Sequence, residues 1–217
     1  MVQKEYSLAL AAYEDILKSD LKNAGLLNKA GIACQQLGNL NEAERYYRKA
    51  FRANKKFASA LNNVGTLDYQ RSRYGKAIKS YKKALELSAT SASIYSNLGY
   101  AYYANKQFPQ AMQAFGKALA IDPGIFEHKG GFGSLIQQRS APDPGLFYFL
   151  VAKSFAKTGD AERAAHYLKL SRDDGYKDIA LAAKDPEFAA VIKDPRVQEV
   201  LRIQPSYAQD PGKPVVN

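Results

Sequence analysis

Few residues in this sequence have side chains suited to chemistry: one cysteine, Cys34, and two histidines, His128 and His166. A single thiol excludes an internal disulfide framework and any multi-cysteine zinc site. Neither histidine has a partner at metal-ligand spacing. Cys34 reads as a buried, inert thiol, because no base is positioned beside it. His166 reads as solvent-facing and His128 as part of a loop. Asp173-Asp174-Gly175 reads as turn chemistry at a helix end rather than as a calcium site. Gly130-Gly131-Phe132-Gly133 lacks the lysine and the strand–helix setting of a phosphate loop, and no zincin or nucleophile-elbow motif is present. These residues point to a chain that is not an enzyme and that needs no metal or cofactor.

Charge is the stronger signal. The 217 residues hold 31 Lys+Arg against 21 Asp+Glu, a net charge of +10. The excess is local. Residues 45–83 contain 12 basic residues and one acid, Asp68, which leaves 19 basic and 20 acidic residues for the remainder. Arg45, Arg48, Lys49, Arg52, Lys76, Lys79, Lys82 and Lys83 form the basic patch. It suits an acidic partner, a nucleic acid or an anionic surface. The nucleic-acid reading is the weaker one, because no nucleic-acid motif accompanies the charge.

The elements that hold these residues repeat with a period of 34. Leu27-x-x-Ala30-Gly31, Leu61-x-x-Val64-Gly65 and Tyr95-x-x-Leu98-Gly99 each precede an alanine, an aromatic and a second alanine at constant spacing: Ala43, Tyr47, Ala50; Ala77, Tyr81, Ala84; Ala111, Phe115, Ala118. The i, i+4, i+7 spacing within each half predicts two helices per unit, with small residues where backbones approach. Gly38 marks the turn between them, and Asn39 or Asn41 is placed to cap the second helix.

These residues resemble the tetratricopeptide repeat, most clearly in Tyr95-x-x-Leu98-Gly99-x-x-Tyr102 followed by Ala111-x3-Phe115, Ala118 and Pro123. The family's tryptophan position holds Leu or Tyr here, and its proline is missing from the first two copies. The resemblance implies an all-α, right-handed superhelical solenoid of antiparallel helix pairs with a C-terminal helical cap. The divisions expected are a half-repeat helix at 1–23, repeats at 24–57, 58–91 and 92–125, and a loop insertion at 126–144. A divergent fourth repeat at 145–178, capping helices at 179–203 and a flexible tail at 204–217 follow. Leu8 to Ser19 resembles a second helix without its first, with Tyr13 at the aromatic position. Asp185-Pro186 and Asp194-Pro195 each open an apolar run of the cap.

By the same resemblance, a concave wall of first helices binds an extended peptide or a helix. Its candidate residues are Asn28, Ile32, Gln35, Asn62, Asn63, Thr66, Tyr69, Ser96, Asn97, Tyr100, Tyr103, Phe149 and Lys153. Tyr100 and Tyr103 lie off the face that packs their own repeat, which predicts that the groove exposes them. The clamp with which some members hold chaperone C termini is absent: Asn63 matches, whereas Ile32, Ser93 and Asn97 replace its other members. The expected role is therefore protein–protein interaction with a peptide or protein partner of open identity. No apolar run approaches the roughly 18 residues of a membrane span. The start, Met1-Val2-Gln3-Lys4-Glu5, is not a signal peptide. A cytoplasmic location is the default, an exported or periplasmic one follows if a signal was removed, and the oligomeric state is open.

Overall fold

Three glycines govern how these helices pair. In the computed structural model, which describes residues 2–126 and 143–202, a Cβ built on Gly31 would lie 2.5 Å from the Tyr47 ring and one on Gly65 would lie 2.6 Å from the Tyr81 ring. Gly99 meets Phe115 more closely still. All three rings are fully buried. A glycine inside a helix costs about 1 kcal/mol relative to alanine, and here it admits an aromatic ring directly against the facing backbone.

Among the described residues there are ten α-helices and no strand. The chain begins with α1 (Val2–Ser19), a longer helix than the Leu8–Ser19 segment that the sequence marks. Then come α2 (Ala24–Gln36) and α3 (Leu40–Ala53), α4 (Ala58–Gln70) and α5 (Tyr74–Leu87), and α6 (Ala92–Ala104) and α7 (Phe108–Ile121). The fourth pair is α8 (Pro144–Lys157) and α9 (Ala161–Asp173). Each pair packs internally, and each second helix stacks on the next first helix, giving an all-α solenoid. In the fourth pair, Ala152 and Leu168 stand where the other pairs have glycine and an aromatic, and both are fully buried. The smaller partner leaves room for the Cβ.

The turn inside each pair repeats in detail. Gly38, Ser72, Lys106 and Gly159 occupy equivalent sites, all with φ between 57° and 80°. The next amide reaches back to close the helix end: Asn39 N–H to the Cys34 carbonyl at 2.9 Å, Arg73 to Asp68 at 2.8 Å, Gln107 to Tyr102 at 2.9 Å and Asp160 to Phe155 at 3.1 Å. This is the Schellman closure. Asn39 and Asn41 do not cap α3 as expected: Asn39 makes no side-chain cap bond, and Asn41 accepts from Arg71 instead. Side-chain caps stand elsewhere, on Asn23 for α2, Asp143 for α8 and Asp160 for α9.

After α9 the chain turns at Gly175 and runs through two 3-10 segments, Ile179–Lys184 and Pro186–Phe188, into α10 (Pro195–Arg202). The first Asp-Pro pair thus starts a single 3-10 turn, while the second starts an α-helix. Phe188, Val191 and Val197 are buried against the fourth pair, so this segment caps the solenoid. His128, the glycine-rich stretch and the short helix expected at Ser134–Arg139 lie outside the described residues, as does the tail at 204–217.

Ser72 and Lys106 hold a left-handed conformation that L-residues adopt at a cost of order 1–3 kcal/mol, part of which glycine returns through its freer unfolded chain. Ser72→Gly and Lys106→Gly should each raise the melting temperature, by about 2–4 °C per kcal/mol gained; a thermal melt showing no change or a fall contradicts this. Gly65→Ala should cost about 1–3 kcal/mol by overpacking. The same change should cost less in a Tyr81→Leu background, as chemical-denaturation double-mutant cycles would read.

Candidate functional site

The first helices α2, α4, α6 and α8 carry the wall expected to bind a partner, and amide side chains cross it in a ladder. Asn63 Nδ2 donates to Asn28 Oδ1 at 2.9 Å, and Asn97 Nδ2 donates to Asn62 Oδ1 at 2.9 Å, each bond spanning adjacent repeats. Gln35 Nε2 donates to Gln70 Oε1 at 3.1 Å, while its own oxygen accepts the Tyr47 hydroxyl at 2.7 Å. Thr66 bonds back to the Asn62 carbonyl at 3.2 Å. Asn28, Gln35, Thr66, Ser96 and Asn97 are buried, whereas Ile32, Asn62 and Asn63 stay half-buried and Lys29 is exposed. The ladder stops at α6, because Leu150 follows where the next amide donor would stand. Ser96 Oγ and Asn97 Oδ1 are left buried without a hydrogen-bond partner.

The tyrosines expected in an open groove are packed instead. Tyr100 is 1% exposed and stacks on Phe147 at 5.0 Å, with Phe115 edge-on at 5.4 Å. Tyr103 is buried between Phe108 and Phe147, and its hydroxyl donates to the Asp143 carbonyl at 2.5 Å. Tyr69 is buried beside Tyr74, its hydroxyl unpaired. Burial, first of all, pushes all three phenols above their ordinary pKa. For Tyr100 and Tyr103 the physical reason is the neighbour: Phe147 of α8 fills the space that the pattern within repeat three leaves open. The aromatic run Phe147-Tyr148-Phe149 was the available signal, since three adjacent rings must find apolar contacts on more than one side.

Phe149 and Lys153 are likewise covered, by the C-terminal cap. Phe149 lies 4.7 Å from the Tyr176 ring and 5.8 Å from Phe188. Lys153 Nζ pairs with Asp185 at 2.7 Å and Glu187 at 2.6 Å. Burial disfavours the charge on Asp185, but the Lys153 ammonium and the Glu187 amide outweigh it and hold the carboxyl below its ordinary range. The cap thus covers Phe149 and engages Lys153, although Leu150, Lys153 and Lys157 of α8 still border a cavity of about 740 Å³ against α7.

Of the basic residues, Arg45, Arg48, Lys49, Arg52, Lys76, Lys79, Lys82 and Lys83 are all exposed, on the second helices α3 and α5. Arg71 differs. It is tucked against Glu44 at 2.5 Å, and Arg48 meets the same carboxylate at 2.8 Å. Burial opposes the Glu44 charge, yet the two guanidinium groups lower its pKa. Asp68 goes the other way, raised by burial and then by Glu44. Cys34 is buried, and desolvation, followed by Glu42 and Glu14, pushes its thiol to about 11, so it stays protonated and unreactive at neutral pH. His166 is exposed, edge-on to Tyr167. Among the described residues no cluster of metal-ligating side chains occurs, and no helix is long and apolar enough to cross a membrane.

Three family models match this geometry in sequence. Two described as tetratricopeptide repeat cover residues 24–57 and 92–125, and one described as TPR repeat covers residues 65–106. The chain is a tetratricopeptide-repeat protein. No curated protein matches it. Among solved structures, MamA is 21% identical with a TM-score of 0.56, covering 82% of this chain and 92% of its own. PilF of Pseudomonas aeruginosa is 19% identical with a TM-score of 0.58, covering 91% of this chain and 80% of its own. YrrB, described as a TPR protein with an unusual peptide-binding site, is 20% identical with a TM-score of 0.51, covering 83% and 84%. At these identities the likeness is one of fold.

Lys153→Met would leave Asp185 and Glu187 facing each other across a partly buried site. A loss of about 1–3 kcal/mol is expected, below the 3–5 kcal/mol typical of a fully buried pair. The Asp185 pKa is depressed in the folded state, so its contribution is present above the unfolded carboxylate pKa and is lost as pH falls through the folded value. Thermal melts from neutral pH into acid should show wild-type stability falling in that window and a shallower fall in Lys153→Met. Parallel curves would remove the ion pair from the account.

Proposed function

We propose that this chain is a non-enzymatic interaction module that holds a peptide or helix of a partner protein along the concave wall of α2, α4 and α6. The supporting observation is the amide ladder. Its bonds fix the Asn and Gln side chains at steps of one repeat, and each Asn amide carries two N–H donors. An extended chain presents backbone carbonyls at regular intervals, and fixed donors meet them with little further loss of side-chain freedom. Ile32, half-buried beside the ladder, adds apolar contact, and exposed Lys29 adds charge. The cap's contacts with Phe149 and Lys153 favour the first three repeats as the seat of the partner. YrrB, a neighbour of similar fold described as having an unusual peptide-binding site, lends the reading support.

Peptides selected from a displayed random library on the wild-type protein provide the test. Ile32→Glu, and separately Asn62→Ala with Asn63→Ala, should weaken the selected peptides by at least about tenfold, or 1.4 kcal/mol, with helical circular dichroism unchanged. Undiminished binding to both variants would move the site off this wall.

A further inference from the structure

The opposite, convex side carries a second surface of different chemistry. Between the second helices α3 and α5 runs a valley of about 390 Å³, floored by α4. Six cations rim it: Arg48, Arg52, Lys55, Lys76, Lys79 and Lys83, and Asp68 is the acid at its edge. Arg48 is engaged with Glu44 on its own helix, and Asp68 stands 3.9 Å from Arg73. The other five cations form no ion pair with any carboxylate among the described residues, so their charge faces solvent. The floor is apolar, made by Phe51, Leu61 and Val64. Lysines that serve solubility alone need no such floor beneath them.

The valley continues toward the N-terminus. Arg52 also borders a cavity of about 670 Å³ between α1 and α3, lined by Leu17, Leu21 and Leu27 with Lys22 and Lys49, by Lys18, which pairs with Asp15 at 3.0 Å, and by one acid, Glu14. One repeat further along, the corresponding floor holds Tyr95 and Tyr102, with Lys117 and Lys82 lying over their rings at 5.4 and 5.7 Å. Leu61 and Asp68 occupy the equivalent sites in the open valley. The open floor thus coincides with the part of the chain where the positive charge is concentrated.

We propose that this convex valley docks an acidic, amphipathic segment of a partner protein, its carboxylates on the cationic rim and its apolar side chains on the Phe51–Leu61–Val64 floor. The chemistry favours a protein segment over a nucleic acid. A phosphate backbone has no aliphatic groups for the floor, and bases would need open aromatic faces. Lys55 already lies over the Phe51 ring at 5.0 Å and Lys49 over Tyr46 at 5.6 Å. The 14 residues of α3 make a wall about 21 Å long, enough for nearly four turns of a docked helix.

Fluorescence anisotropy on the full chain tests this with a labelled amphipathic peptide, Glu on one face and Leu on the other, of about 14 residues to span the valley. The wild type should bind it with an affinity that falls as salt rises. The Lys55→Glu, Lys79→Glu, Lys83→Glu triple variant should lose at least about tenfold, with helicity and melting temperature retained. An all-Glu peptide should bind more weakly than the amphipathic one. Ile32→Glu should leave this binding unchanged, so failure of the concave wall and failure of the valley are read separately. The proposal is overturned if the amphipathic peptide does not bind, if the triple variant binds it equally, or if the all-Glu peptide matches it. A single-stranded oligonucleotide or phosphatidylglycerol vesicles binding as tightly would also overturn it, by making the valley a general anion surface.

Discussion

Contact between an aromatic ring on each second helix and a bare glycine backbone on its first helix sets the geometry on which the other surfaces depend. Tyr47, Tyr81 and Phe115 lie where a Cβ on Gly31, Gly65 or Gly99 would collide. Interiors this closely packed do not absorb a methyl group by small adjustments. The contact therefore fixes the separation of the two helices in each pair. The alanines Ala43, Ala50, Ala77, Ala84, Ala111 and Ala118, all fully buried, let the remaining backbones approach to match. The fourth pair reaches the same arrangement by exchanging ring and hydrogen for Leu168 and Ala152.

A fixed pair becomes a solenoid because its turn and its wall also repeat. The left-handed residue and the amide that follows close every first helix in one conformation, so each second helix departs at the same angle. The ladder then ties each wall to the next: Asn28 to Asn63, Asn62 to Asn97, and Gln35 to Gln70. Each bond contributes about 1 kcal/mol net, but its larger role is registry, since each amide has a defined partner one repeat away. Where Leu150 ends the ladder, ring stacking takes over. Tyr100 and Tyr103 pack on Phe147, and the cap engages the last wall through Lys153, Asp185 and Glu187.

The repeat itself was legible because its determinants are local and periodic. The glycines, alanines and rings sit at constant spacing and specify helix pairs without reference to anything distant. The exposed basic residues were legible for a similar reason, as long charged side chains on the outer face of an amphipathic helix have no alternative to solvent. The wall was legible by position but not by exposure. Whether Tyr100 is open depends on where Phe147 lands after 19 extra residues, and Lys153 depends on acids more than 30 residues downstream. The turn sites show a milder failure. Gly38 announces a left-handed residue, whereas Ser72 and Lys106 adopt the same conformation because the flanking helices impose it.

With helix separation fixed, the side chains at inward-facing sites of each first helix decide whether the outer face is smooth or grooved. Leu27, Leu61 and Tyr95 are one such set; Cys34, Asp68 and Tyr102 are another. Tyrosine at both sites fills the space between α5 and α7, and the lysines above it settle on the rings. Leucine with aspartate or cysteine leaves the space open, and the cations above it stand over an apolar floor that water must cover. Exposed charge beside exposed apolar surface is the arrangement that an amphipathic partner relieves most effectively, since its carboxylates and its aliphatic groups are both satisfied in one docking step. The same repeat scaffold thus offers an amide-lined wall on its concave side and a cationic, grooved one on its convex side. The two faces differ in the ligand chemistry they can accept while sharing every constraint on the backbone.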